Sequence, residues 1–373
     1  MDLRFTDTEE AFRAEARAWL EANVPHDLPS GDTREGFAQH LDWERKLFDD
    51  RWAVVSWPRE YGGREASLIE WLIFEEEYYR AGGPQRVTQN GIFLLAPTVF
   101  EFGTQEQKDH ILARMAAAED LWCQGWSEPN AGSDLAGIKS VARRDDGGWR
   151  LTGQKTWTTR GAFCTHLFGL FRTDPEAERH RGMTYFLVPL DAEGVTVRGF
   201  GRLDGDEGFA EVFFEDVFVP DTDVLGEVNK GWNVAMATTG SERGLTLRSP
   251  GRFMATAARL VDLWREHPDM ALGDDVVACW MDAEAYRWQT YATVAGLMEG
   301  AKPGAESSLT KLFWSELDVR LHETALQLLG PEAEIEGPWL KGYQFALAGP
   351  IYAGTNEIQR NVVGERVLGL PRG

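Results

Sequence analysis

The chain has 373 residues, 43% of them hydrophobic and 26% charged, enough apolar mass for two or three domains with a large buried core. Its 60 acidic against 38 basic residues leave a formal net charge of −22, a field that repels nucleic acid and anionic membrane surfaces. Cys123, Cys164 and Cys279 are odd in number and far apart, which excludes a disulfide framework and favours a reducing compartment.

The opening MDLRFTDTEE carries charge where a secretory leader needs an apolar run. Apolar stretches such as 92–100 are too short to cross a bilayer. A soluble, cytoplasmic protein without membrane insertion is expected. Residues 1–120 read as helices. Thr6 and Glu9 have capping-box spacing, and Phe12, Ala16, Trp19 and Leu20 follow at helical intervals. Pro58, Gly62-Gly63 and Gly82-Gly83-Pro84 punctuate the following helices, and Thr104 stands where an N-cap should. Residues 121–225 change texture. Two extended runs flank Asp146-Gly147, a hairpin signal, and short β-branched and aromatic runs continue to Pro220, predicting a β-barrel or sandwich. In 226–373 the helical period returns. Its clearest segment is 307–329, where Leu309, Leu312, Phe313, Leu317, Leu321, Ala325 and Leu328 form one apolar stripe before Gly330-Pro331. The predicted order is an N-terminal helical domain, a middle β-domain and a C-terminal helical bundle.

Several chemistries are absent. There is no HExxH, no paired Cys/His ligand spacing and no Walker loop. GFGRLDG at 199–205 lacks the third glycine of a dinucleotide loop and sits among strands, so a Rossmann site is excluded.

Five segments, in order along nearly the whole chain, resemble the acyl-CoA dehydrogenase family: WPREYGG (57–63), FGTQEQKDHILARMAAAED (102–120), WCQGWSEPNAGSDLAG (122–137), GQKTWTTRG (153–161) and IYAGTNEIQRNVVGERVLG (351–369). The resemblance implies an α+β multidomain fold and a non-covalent FAD. Trp126 (through its backbone) and Ser127 would meet the flavin ring, and Thr159 would hydrogen-bond near N5. Trp157 would cover one ring face, and Ser133 would reach the pyrophosphate. Read without the family, Ser127 and Ser133 are turn residues, and Trp157 and Thr159 share one face of a strand. Gln327 matches the glutamine of a Gln-x-x-Gly-Gly motif that holds FAD across a subunit interface, although Pro331 replaces the second glycine. Thr355 and Glu357 match further cofactor contacts, the latter usually glutamine.

Two departures shape the reading. Most of the family carries its base as the glutamate of Tyr-Glu-Gly-Thr, whereas the tetrad here is Tyr352-Ala353-Gly354-Thr355. A branch that includes isovaleryl and long-chain enzymes places the glutamate before an arginine early in the C-terminal domain, matching Ser241-Glu242-Arg243. Glu242 is therefore expected to be the α-proton base, with Arg243 near the substrate; apart from the family, the pair reads as a solvated ion pair. The Ala353 N–H would still polarise the thioester carbonyl. Second, Arg-x-x-Phe-Gly, the neighbouring subunit's grip on FAD, has no counterpart, since its place reads REHPDMALGDDV. Related actinobacterial-type enzymes of steroid side chains assemble from two unlike dehydrogenase chains. The implied activity is α,β-dehydrogenation of an acyl-CoA, with an electron-transfer flavoprotein as acceptor and a homo-oligomer or heterotetramer as the assembly. A flavin oxidase or monooxygenase, a dehydrogenase of carrier-protein-bound acyl groups and a silent partner subunit remain as alternatives.

Overall fold

The computed structural model describes residues 4–243, 249–301 and 304–371, and the side chains of 241–243 lie outside the described residues. Helices α1 (Asp7–Asn23), α2 (Arg34–Asp49), α3 (Leu68–Arg80), α4 (Ala96–Phe102) and α5 (Gln105–Ala116) come first. Strands β1 (Trp122–Gly125), β2 (Val141–Asp145), β3 (Gly148–Thr159), β4 (His166–Arg172), β5 (Met183–Pro189), β6 (Val195–Phe200), β7 (Phe209–Pro220) and β8 (Val224–Leu225) follow. Helices α6 (Gly231–Arg243), α7 (Pro250–Glu266), α8 (Gly273–Met298), α9 (Ser307–Leu329), α10 (Pro338–Ala346) and α11 (Asn356–Val362) complete the chain. No helix among the described residues is long and apolar enough to cross a membrane.

Local chemistry sets these boundaries. Thr6 and Glu9 close a reciprocal capping box on α1, and Thr104 with Gln107 does the same on α5. The β2–β3 hairpin turns on Asp146-Gly147, with Asp145 paired to Gly148 and Gly147 at φ 69°, a conformation glycine adopts without steric cost.

The chain divides into two compact units. One comprises Asp27–Arg64 and Gln85–Glu242 and contains the sheet. Its strand order is β6-β7-β3-β2-β4-β5-β8, with β1 pairing parallel to β4. Phe171, Phe186, Phe214, Leu151 and Val217 fill its core. The other unit comprises Met1–His26, Glu65–Pro84 and Arg243–Gly373 and is helical. Its core is built on Phe253, Leu260, Trp314, Leu317 and Leu321 from α7 and α9. Glu77 of α3, itself buried, takes Arg17 at 2.7 Å, Arg80 at 2.7 Å and Arg13 at 3.3 Å, tying α1 to α3.

Helix α9 spans the predicted residues, but its inner face differs from the expected stripe. Leu317, Leu321, Ala325 and Leu328 are buried, whereas Leu309 and Phe313 are exposed. Lys311, Trp314, Ser315 and Asp318 occupy the inner face instead, because each serves an internal polar or aromatic contact described below. Polar residues on a buried face are invisible to an apolar periodicity.

Candidate active site

In the sheet unit the predicted flavin residues lie on the loop after β1 and at the end of β3. A one-residue bulge interrupts β3 between Lys155, opposite Val212, and Thr158, opposite Ala210. Within it Trp157 adopts φ 58°, a left-handed backbone that is unusual for a bulky side chain. Its indole is 61% exposed and stands edge-on to Phe200 at 5.3 Å and Phe209 at 5.6 Å. Thr158 points inward and is fully buried, while Thr159 is half-buried on the outer side with Trp157. A strained aromatic held outward at the rim of a sheet is a functional signal in its own right.

The loop is fastened to this strand by groups that sequence reasoning missed. The Thr156 N–H donates to the Ser127 carbonyl at 2.9 Å. Lys155 is fully buried; its ammonium donates to Glu128 at 2.8 Å and to the Leu170 carbonyl at 2.7 Å, above the Phe171 ring. Glu128 also accepts the N–H groups of Lys139 at 2.6 Å and Ser140 at 2.9 Å. Burial pushes the Lys155 pKa down to about 8, with Glu128 opposing the fall. Burial likewise works to raise Glu128, but Lys155 and the two amides hold its carboxyl below the usual range. A lysine at an inward position of the GQKTWTT strand was the available signal.

Arg160, the next residue, is also left-handed at φ 55°. Its guanidinium donates to Asp32 at 2.6 Å, and Arg202 meets the other oxygen of Asp32 at 2.6 Å. Burial favours protonation of Asp32, but the two arginines win and hold its carboxyl below its ordinary value. The end of β3 is thus pinned while its outer side chains stay uncommitted. The hydroxyls of Ser127 and Thr159 make no hydrogen bond among the described residues, and the buried Trp126 Nε1, Gln124 Nε2 and Thr158 Oγ1 have no partner. Ser133 is exposed in the turn beyond Ala131. Uncommitted donors beside an exposed aromatic fit an isoalloxazine ring, whose reduction places negative charge on its edge.

Helix α6 belongs largely to the same unit. Thr238 shares buried hydroxyl contacts with Thr98 at 2.8 Å and Tyr185 at 3.3 Å, fixing the rotation of the helix. Glu242 stands one turn further along the same helix, and Arg243 ends it; the side chains of both lie outside the described residues.

In the helical unit, Ala353 and Gly354 form a left-handed turn at φ 57° and 81°. Gln359 donates to the Ala353 carbonyl at 2.8 Å, and Asn356 is gripped by Lys311 at 2.7 Å and Ser315 at 3.1 Å. The Asn356 side chain and the Gln359 Nε2 are committed to the turn, while Gln359 Oε1 is buried without a partner among the described residues. The N–H groups of Ala353 and Gly354 have no acceptor among the described residues, which leaves a small concavity for an oxygen. Thr355 is the N-cap of α11, accepting from the Ile358 N–H at 3.3 Å. Glu357 is exposed in the first turn, where its own backbone N–H and the Thr355 hydroxyl hold its carboxyl below the usual value. Gln327 is exposed near the end of α9. Trp126, Ser127, Trp157 and Thr159 are therefore gathered in one unit, and Ala353, Thr355 and Glu357 in the other.

Family models match throughout: acyl-CoA dehydrogenase N-terminal domain over 6–119, middle domain over 123–217 and C-terminal domain over 229–368. The acyl-CoA dehydrogenase IpdE1 of Mycobacterium tuberculosis is 37% identical, with 98% of each chain covered. Among solved structures, the Tcur3481-Tcur3483 steroid ACAD superposes with a TM-score of 0.89 at 27% identity, covering all of both chains. The ChsE4-ChsE5 complex from Mycobacterium tuberculosis superposes with a TM-score of 0.84 at 28% identity, again over both whole chains.

Proposed function

Because this chain belongs to the acyl-CoA dehydrogenase family, we propose that it introduces an α,β double bond into an acyl-CoA thioester with Glu242 as the α-proton base. The observation that carries the reading is the pairing of uncommitted Ser127 and Thr159 hydroxyls with the outward Trp157 on a pinned strand end. When bound, FAD supplies the acceptor for the β-hydride. Ser127, Trp126 and Thr159 present donors to its ring, Trp157 covers a face, and Ser133 reaches the pyrophosphate. Gln327, Thr355 and Glu357 are further contacts. The free N–H of Ala353 takes the thioester carbonyl and so acidifies the α-carbon, a task that needs no side chain. Arg243, the last residue of the same helix as Glu242, would lie near the substrate.

An electron-transfer flavoprotein would be the electron acceptor, and assembly would run through the C-terminal helices. Val277, Met281 and Trp288 on α8, with Leu309 and Phe313 on α9, leave large apolar groups in water. The Tcur3481-Tcur3483 steroid ACAD and the ChsE4-ChsE5 complex each pair two chains, which favours a heteromer with a second dehydrogenase chain over a homo-oligomer.

The decisive variant is Glu242→Gln, which keeps shape and removes basicity. Anaerobic flavin reduction by the best acyl-CoA is expected to slow by about 10²-fold or more, with FAD content unchanged. Reduction as fast as the parent would place the base elsewhere.

A further inference from the structure

The start of α7 carries a guanidinium that the fold does not satisfy. Gly251 lies so close to α3 that a Cβ there would meet the Glu75 carbonyl oxygen at 2.6 Å, which fixes where the next side chain begins. Arg252 then reaches between the Phe253 and Phe345 rings, 5.5 and 5.7 Å from its Cζ. Its Nη2 donates to Asp318 at 2.8 Å, whereas Nη1 is buried without an acceptor among the described residues. Burial opposes the charge on Arg252, but Asp318 and the Tyr352 and Tyr79 hydroxyls raise its pKa, so it remains a cation. One carboxylate oxygen of Asp318 takes Arg252, while His322 Nδ1 donates to the Asp318 backbone carbonyl at 2.8 Å and passes 3.5 Å from the other carboxylate oxygen. Burial lowers the His322 pKa, which keeps that ring neutral.

The location gives the free N–H a meaning. Arg252 lies in the field of Tyr352, the residue immediately before Ala353, and Tyr352 stacks on Trp314 at 5.9 Å. The surroundings are aromatic, and 19% of the Arg252 side chain remains open. An unmade hydrogen bond from a buried guanidinium is expensive, so an aromatic wall with one such donor selects a ligand that is apolar apart from one acceptor. Asp318 already supplies the counter-charge, so the remaining demand is for a neutral oxygen and not for a second anion.

We propose that Arg252 reads an oxygen on the acyl group, making the substrate an oxo-acyl thioester whose remote carbonyl accepts from Nη1 while its thioester carbonyl lies at the Ala353 N–H. This deepens the proposed dehydrogenase reading and rests on it for the position of the thioester. An unsubstituted acyl chain leaves Nη1 unpaired, and an ω-carboxylate brings an anion that Asp318 repels.

The test is equilibrium binding to the FAD-loaded protein of acyl-CoAs of equal length: unsubstituted, ω-carboxylated, and a series bearing one keto group at successive positions beyond the β-carbon. In the parent protein at least one keto-acyl-CoA is expected to bind about tenfold or more tightly than the unsubstituted one, with the carboxylate weaker than that keto ligand. Arg252→Met should abolish the preference, so that keto and unsubstituted ligands bind that variant equally. The proposal is overturned if no keto ligand exceeds the unsubstituted one, if the carboxylate binds best, or if the keto preference survives Arg252→Met. Should that variant not fold, the parent's ligand ranking alone decides. Binding requires no turnover, so a failure of flavin reduction would sink the dehydrogenase reading and not this ranking. Normal reduction with no keto preference would sink only this proposal.

Discussion

The end of β3 and the turn at Ala353 present hydrogen-bond donors in opposite ways. On β3 the backbone is committed to its sheet partner and to Arg160's anchors, and side-chain hydroxyls remain free. At Ala353 the Asn356 side chain and the Gln359 Nε2 are spent on the lock, and backbone N–H groups remain free among the described residues. The difference suits their targets. On the proposed reading, spaced side chains would meet the wide edge of a ring, and backbone amides would meet one carbonyl oxygen. Ala353 could then serve through its N–H although it carries no carboxylate.

The comparison breaks most visibly at Lys155. Lys155→Met strands Glu128 in the interior, and losing one partner of a buried pair typically costs about 3–5 kcal/mol. The variant should melt lower and retain little FAD, while Glu128→Gln in the same chain should recover part of the loss. Unchanged thermal stability and flavin content in Lys155→Met would mean that the pair does not hold the loop.

A second contrast concerns acid, in the helical unit. Burial works to raise Glu77, but Arg17 and Arg80 hold its pKa at about 2 against an ordinary 4.5. A depressed carboxyl contributes its full stability above pH 4.5 and loses it as pH falls toward 2, at most about 3 kcal/mol here. Denaturant unfolding of Glu77→Gln should show a correspondingly shallower decline over that window. A parallel decline in parent and variant would remove Glu77 from the account.

The smallest effect is expected at Thr159. Thr159→Val deletes one uncommitted hydroxyl with little change of shape, so FAD affinity should fall about fivefold, the scale of a single net hydrogen bond. Folding stability should stay unchanged, because no internal bond is lost. A destabilised protein with undiminished FAD affinity would show that the hydroxyl serves the fold.

Much of the fold was legible because its signals are local. Capping residues marked α1 and α5, Asp146-Gly147 marked the hairpin, and Gly330-Pro331 ended α9 where expected. The segments proposed to hold flavin were singled out by resemblance to known motifs. What the sequence concealed is long-range pairing. Nothing around Trp122 announces that β1 runs parallel to β4, more than forty residues later. Lys155 meets Glu128 across 27 positions, and Arg160 meets Asp32 across 128, so no local pattern announces either pair. The bulge that turns Trp157 outward depends on register with β7, which no alternation within β3 encodes. Arg252 escaped for the same reason, because its vacancy is defined by Asp318, Phe345 and Tyr352 together.

The central claim is that the uncommitted donors of Ser127 and Thr159 hold a flavin that an acyl-CoA reduces. It is met most directly by anaerobic absorbance spectroscopy of the FAD-reconstituted protein, alone or with a second dehydrogenase chain, during titration with acyl-CoAs. The account predicts a yellow protein whose flavin band bleaches on addition of a substrate. A folded protein that takes up no FAD under either condition, or whose bound FAD stays oxidised with every acyl-CoA offered, would contradict it.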